Sequence, residues 1–158
     1  MNTNQIEIIK KMNAGVLALT ISLMSAAAIA IIFSQNTIGI LLLLTGIIIF
    51  AIKGKQEIYK PTGSKIKRGT YYFDKELISK VEDIIKGGFA EDSAIIPIIE
   101  NGGGKMETII TADREFIAVQ LFRFIPHKFE ETTEQICYTG KEAKKLIECI
   151  EKSTVHRV

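Results

Sequence analysis

Apolar and polar positions are spread unevenly along the chain, and the unevenness is greatest near its start. Residues 14–33 form one uncharged apolar run and residues 38–52 form another, with Ser34, Gln35, Asn36 and Thr37 between them. Crossing ~30 Å of hydrocarbon takes ~20 apolar residues in a helix. The first run is long enough. The second is short, though Thr37 extends it and Lys53 can snorkel at its end. The pattern predicts a two-span membrane hairpin over 14–52, with a re-entrant second segment as one alternative. A cleaved leader ending near Ala28-Ile29-Ala30 is a weaker one, because the apolar core is too long and a second run follows at once. A buried hairpin in a soluble fold is weaker still, since two such charge-free runs are unusual there.

Small residues are ordered within these runs. Ala14, Ala18, Ser22, Ala26 and Ala30 recur every fourth residue, and Gly39 and Gly46 lie seven apart. Such spacing puts small side chains on one helix face, where backbones can approach closely. The short connection favours packing of the hairpin on itself over an oligomer seam.

Beyond residue 69 the patterns shorten. Thr70-Tyr71-Tyr72-Phe73 is a short strand-like stretch. Residues 74–86 place Leu77, Ile78, Val81, Ile84 and Ile85 on one helical face, with Asp74 as N-cap and Gly87-Gly88 as the stop. Residues 94–99 and 105–111 read as strands joined by Asn101-Gly102-Gly103-Gly104, with Pro97 marking an edge. Residues 116–125 read as a third strand, apolar on both faces and therefore central. A polar connection from His127 leads to a short strand ending at Tyr138. Thr139-Gly140-Lys141-Glu142 then opens a last helix as a capping box, with Ala143, Leu146, Ile147 and Ile150 facing inward.

Charge orients this layout. The net charge of +2 conceals a basic collar. Lys10 and Lys11 precede the first run, and Lys53, Lys55, Lys60, Lys65, Lys67 and Arg68 follow the second. The positive-inside rule places both termini in the cytoplasm. The residues after the second run, Lys53 to Arg68, form the collar that suits anionic headgroups. From residue 69 onward twelve basic residues face sixteen acids, which is unlike a nucleic-acid-binding domain.

Candidate chemistry is sparse. Cys137 and Cys149 lack metal-ligand spacing, and His127 and His156 lie far apart. The glycine run before Lys105 leads into a strand and not the helix that a phosphate loop requires. Thr139-Gly140-Lys141 lacks the upstream glycine of such a loop, and Glu142 stands where Ser or Thr belongs. The acids Glu130, Glu131 and Glu134 lack the alternation and glycine of a calcium loop. No ionisable residue interrupts either apolar run, which disfavours a pump or transporter acting alone.

The expected organisation is an N-terminal head (1–13), a transmembrane hairpin (14–52), a basic linker (53–69) and a cytoplasmic α+β domain (70–158). That domain is expected to hold an antiparallel meander of three to four strands flanked by two helices. Two helices cover one sheet face, so the face of Phe116, Phe122 and Phe124 is the expected interface, unless the linker folds over it. The expected function is that of a non-enzymatic, multi-pass protein of the inner or plasma membrane, without cofactor or metal. Its partners would be anionic lipids and either a second copy or a larger membrane assembly, with no nucleic acid. The alternatives are a small membrane-surface enzyme built on His127, the acidic loop and Cys137, or an accessory subunit of a pore or transporter.

Overall fold

A computed structural model describes residues 6–90 and 94–155. His156 and the first five residues of the expected head lie outside the described residues. Contacts divide the chain into two compact units, Ile6–Gly63 and the residues from Ser64 onward.

The first unit is a helical hairpin closed by a strand ribbon. Its elements are β1 (Ile8–Met12), α1 (Ala14–Ile32), α2 (Asn36–Lys53) and β2 (Lys55–Tyr59). Both helices are long and apolar enough to span a membrane. The second helix recruits Asn36 and Thr37, so its 18 residues extend about 27 Å at 1.5 Å per residue. Asn13 caps α1, its side chain accepting a hydrogen bond from Val16 N at 3.4 Å. The same residue's backbone N–H donates to the Gly54 carbonyl at 2.9 Å.

That bond continues the ribbon. β1 and β2 pair antiparallel, from Ile8 opposite Tyr59 to Met12 opposite Lys55. The helices then keep the same antiparallel order, Gly46 facing Thr20 and Leu23, and Gly39 facing Ala27 and Ile31. A Cβ on Gly39 would lie 2.9 Å from the Ala27 carbonyl and 2.5 Å from the Ile31 side chain, so this crossing is close because Gly39 has none. Residues 8–12 lie in the expected head, to which no strand is assigned. They are a strand instead, because their hydrogen-bond partners lie beyond the whole hairpin, where no local pattern reveals them.

The second unit is an α+β domain built on β3 (Ser64–Phe73), α3 (Ile78–Lys86), β4 (Gly104–Thr111), β5 (Phe116–Ile125), β6 (Lys128–Glu131), β7 (Ile136–Thr139) and α4 (Gly140–Val155). β5 is central, as its two apolar faces imply. β4 pairs along one edge, while β6 and β7 divide the other. β3 pairs with β4 outside it, Tyr71 opposite Met106. All these pairs are antiparallel. The sheet exceeds the expected three to four strands, because the last third of the expected linker is part of strand β3 and the polar connection after His127 contains β6.

One expected strand is missing. Residues 94–99 run extended but meet the sheet at a single bridge, Ile99 opposite Tyr72. Pro97 has no N–H to donate, and the Ile96 N–H donates to the buried Ser153 hydroxyl at 2.8 Å. Ile96 and Ile98 nevertheless enter the core. That core joins Ile78, Val81 and Ile85 of α3 and Leu146, Ile147 and Ile150 of α4 to Phe73, Met106, Ile117, Val119 and Leu121 of the sheet.

The hairpin crossing makes a prediction. Gly39→Leu forces a side chain against the α1 backbone and should cost about 1–3 kcal/mol. Ala18→Leu, at an exposed position, should stay within about 0.5 kcal/mol. Thermal unfolding of the solubilised chain reads both, and equal melting temperatures would remove the role assigned to Gly39.

Candidate functional site

Three places in the structure carry features beyond packing. The first is the hairpin surface. Ala14, Ala18, Ser22 and Ala26 are exposed and Ala30 is half-buried, whereas Thr20 and Ala27 are buried against α2. The four-residue stripe therefore lies off the seam within the hairpin. Gly39 and Gly46 lie in the seam, both buried. The seam on α1 repeats at seven residues, Thr20 to Ala27, matching the spacing of the two glycines. A seven-residue repeat keeps two helices facing each other, whereas a four-residue repeat drifts around the helix.

The second place is the ribbon end of the hairpin. Lys53, Lys55 and Lys60 are exposed there beside Lys10 and Lys11. Lys60 forms an ion pair with Glu7 at 2.9 Å. Alternation along the strands puts Lys10, Met12 and Lys55 on one ribbon face. With Phe50, Ala51, Ile52 and Gly54 they line a pocket of about 530 Å³. Gly54 makes the floor possible: a Cβ there would strike the Phe50 carbonyl. Sequence reasoning named Lys55 but missed Lys10 and Met12 as its neighbours, which lie more than 40 residues earlier in the chain.

The other collar residues, Lys65, Lys67 and Arg68, are exposed along β3. Lys67 and Arg68 border a groove of about 360 Å³ beside α4, with Tyr71, Thr108, Arg114 and Glu151. Burial raises the Tyr71 phenol above its ordinary value, a nearby Glu151 adds to this, and a hydrogen bond with Thr108 opposes it. Arg114 is held by Glu151 at 2.8 Å.

The third place is the sheet face opposite the helices. Phe116 is 2% exposed and belongs to the interior, against the expectation of an open surface. Phe122 is half-buried under Lys105, whose Nζ lies 4.2 Å from the ring centre. The same ammonium is 4.9 Å from the Phe129 ring and is held by Glu107 at 2.7 Å. Phe124 is 48% exposed and meets Phe129 edge-on at 5.3 Å. Of the three expected interface residues, Phe124 alone is open. Phe116 is buried and Lys105 lies over Phe122, whereas Phe124 has Phe129 of β6 edge-on beside it and stays half exposed. The expected covering by the linker is partial: Tyr72 packs near Phe129, with 6.1 Å between ring centres, while Tyr71 and Phe73 point to the helix-covered core.

The residues of the enzymatic alternative do not converge. His127 sits in the β5–β6 turn with a positive φ of 78°. Cys137 pairs with Ala118 near the other end of β5. Seven residues of β5 separate Ala118 from Ile125, the last position before that turn, about 23 Å at ~3.3 Å per residue. Burial raises the Cys137 thiol, and burial likewise raises Cys149, so both stay protonated and weakly nucleophilic at neutral pH. Among the described residues no three His, Cys, Asp or Glu side chains gather as a metal centre.

No known protein family, curated protein or solved structure matches this chain.

The two ends of the aromatic face should behave differently. Phe116→Ala should lose about 3–5 kcal/mol. Phe124→Ala should lose less than about 1 kcal/mol, because little burial is given up. Denaturant unfolding of the full chain measures both, and similar losses would show that the Phe124 end is also core.

Proposed function

We propose that this chain is a membrane-anchored, non-enzymatic interaction protein. Its hairpin spans the inner or plasma membrane with both termini in the cytoplasm, and its α+β domain associates there with a second copy or with a larger membrane assembly. The observation that carries the membrane reading is the uncovered apolar surface of the hairpin. Only 11% of each span is buried, and Ile21, Ile29, Leu41, Ile48 and Ile52 are each more than half exposed. A soluble protein does not leave such an area wet, whereas lipid covers it.

Three exposed hydroxyls within the spans agree with this reading. The hydroxyls of Ser22, Ser25 and Thr45 donate to the carbonyls four residues earlier, at 2.8–3.0 Å. Internal hydrogen bonding of this kind is what a helix in hydrocarbon requires. The ribbon places Lys10, Lys11, Lys53 and Lys55 at one end of the hairpin, and the opposite turn, Ser34 and Gln35, carries no charge. That asymmetry orients the termini towards the cytoplasm. The open Phe124 edge, backed by Phe129, supports the interaction reading, since aromatic side chains anchor protein contacts.

A reporter enzyme active only outside the cytoplasm, fused after Val158, should be silent, and the chain should stay with the membrane on alkaline extraction. Reporter activity reverses the orientation, and release by alkali removes the spans. Association is tested by purification in mild detergent. Phe124→Glu should abolish co-purification while leaving the melting curve unchanged. A wild-type chain that runs as a clean monomer without a partner overturns the interaction reading.

A further inference from the structure

Where the hairpin meets its ribbon, an apolar wall and a pair of lysines share one pocket. Met12, Phe50, Ala51 and Ile52 supply the wall, and Lys10 and Lys55 border it. The two lysines belong to different strands and reach the same ribbon face through the pairing of Met12 with Lys55. Met12 lies between them in the pattern and is 53% exposed, and Ile52 is 72% exposed. The acid nearest in register is Glu57, opposite Lys10 and one step further from the helices. Among the described residues no acid lines the pocket itself. Its volume of about 530 Å³ falls within the ~300–1,000 Å³ of small-molecule sites.

We infer that this pocket holds one anionic phospholipid, its phosphodiester between Lys10 and Lys55 and its first methylenes against Phe50 and Ile52. Three features on this surface select that occupant. The pocket lining carries two cations against the single acid Glu57 that faces Lys10 from beyond it, so the site is net positive and the ligand head is an anion. The wall continues into the exposed apolar side of α2, so the ligand also has a hydrocarbon part. Finally, the pocket sits where α2 gives way to a charged ribbon, which is headgroup depth if the helices span. The inference therefore rests on the membrane reading above. It narrows a diffuse basic collar to one site and adds Lys10 and Met12, which that collar did not include as lipid contacts.

The test uses the full chain in neutral detergent, mixed with phosphatidylglycerol or phosphatidylcholine, with retained lipid counted by native mass spectrometry. Phosphatidylglycerol should be retained at one per chain in preference to phosphatidylcholine. Each lysine near a headgroup contributes about a fivefold factor, so Lys10→Gln with Lys55→Gln should lower retention by about tenfold or more. Lys10→Arg with Lys55→Arg should keep the lipid. Lys53→Gln with Lys60→Gln removes equal charge outside the pocket and should change retention less than about twofold, because neither lysine lines it. Melting curves matching wild type show that each variant is folded, and the arginine pair provides a folded positive control.

Equal loss in both glutamine pairs overturns the site in favour of diffuse attraction. Equal retention of the two lipids, or displacement of phosphatidylglycerol by inorganic phosphate alone, also overturns it. Alkaline extraction of the same membranes separates the two levels of failure. A chain released by alkali fails the membrane reading and the site with it, whereas a retained chain without selective binding fails the site alone.

Discussion

The antiparallel register shared by strands and helices in residues 6–63 is the constraint on which the rest depends. Met12 faces Lys55, Asn13 bonds to Gly54, and the same order continues to Gly46 and Gly39 against α1. Helix packing alone holds this offset only through non-directional contacts around Thr20, Ala27, Gly39 and Gly46. Backbone hydrogen bonds are directional: a one-residue slip turns every ribbon side chain to the other face. The ribbon therefore sets the offset, and the glycines make that offset compact. The turn at the far end closes the hairpin with Ser34 in the left-handed region, φ 61°.

The α+β domain depends on β5 in a comparable way. Its Ile117, Val119 and Leu121 enter the core with α3 and α4, and its opposite face runs from buried Phe116 to open Phe124. Burying Ile, Val and Leu on one side contributes roughly 1.5–3 kcal/mol per side chain. The gradient on the other side follows from its neighbours. Lys105 lays its cation over Phe122, an interaction of about 0.5–2 kcal/mol, while Phe124 has one edge-on partner. A strand that is apolar on both faces thus closes at one end and leaves an aromatic edge exposed at the other.

These two arrangements explain why the functional reading concerns position and contact. The hairpin exposes an apolar surface and has lysines at its ribbon end, and the domain exposes a short aromatic edge. The groups that carry chemistry are dispersed. His127 and Cys137 are held at opposite ends of β5, and burial keeps the thiols protonated. Burial acts in one direction here: it favours the neutral thiol, so the stability that Cys137 and Cys149 contribute is full at neutral pH. It would be lost only as pH rises through the ordinary thiol range and beyond it.

Local pattern was enough for the elements whose stabilising contacts recur at helical or strand spacing. Charge-free runs of this length announce the two long helices, periods near 3.6 announce α3 and α4, and dense apolar residues announce β5 as central. Tertiary structure decided the features whose partners are distant in the chain. β1 exists because β2 pairs with it from the other side of the hairpin. Residues 94–99 are not a strand because Ser153 takes a backbone N–H that a ladder would need. Phe122 is capped because β4 brings Lys105 over it. Lys10 joins Lys55 for the same reason: a hydrogen-bonded register puts two lysines on one face, and no pattern within either strand records which residue will stand beside it.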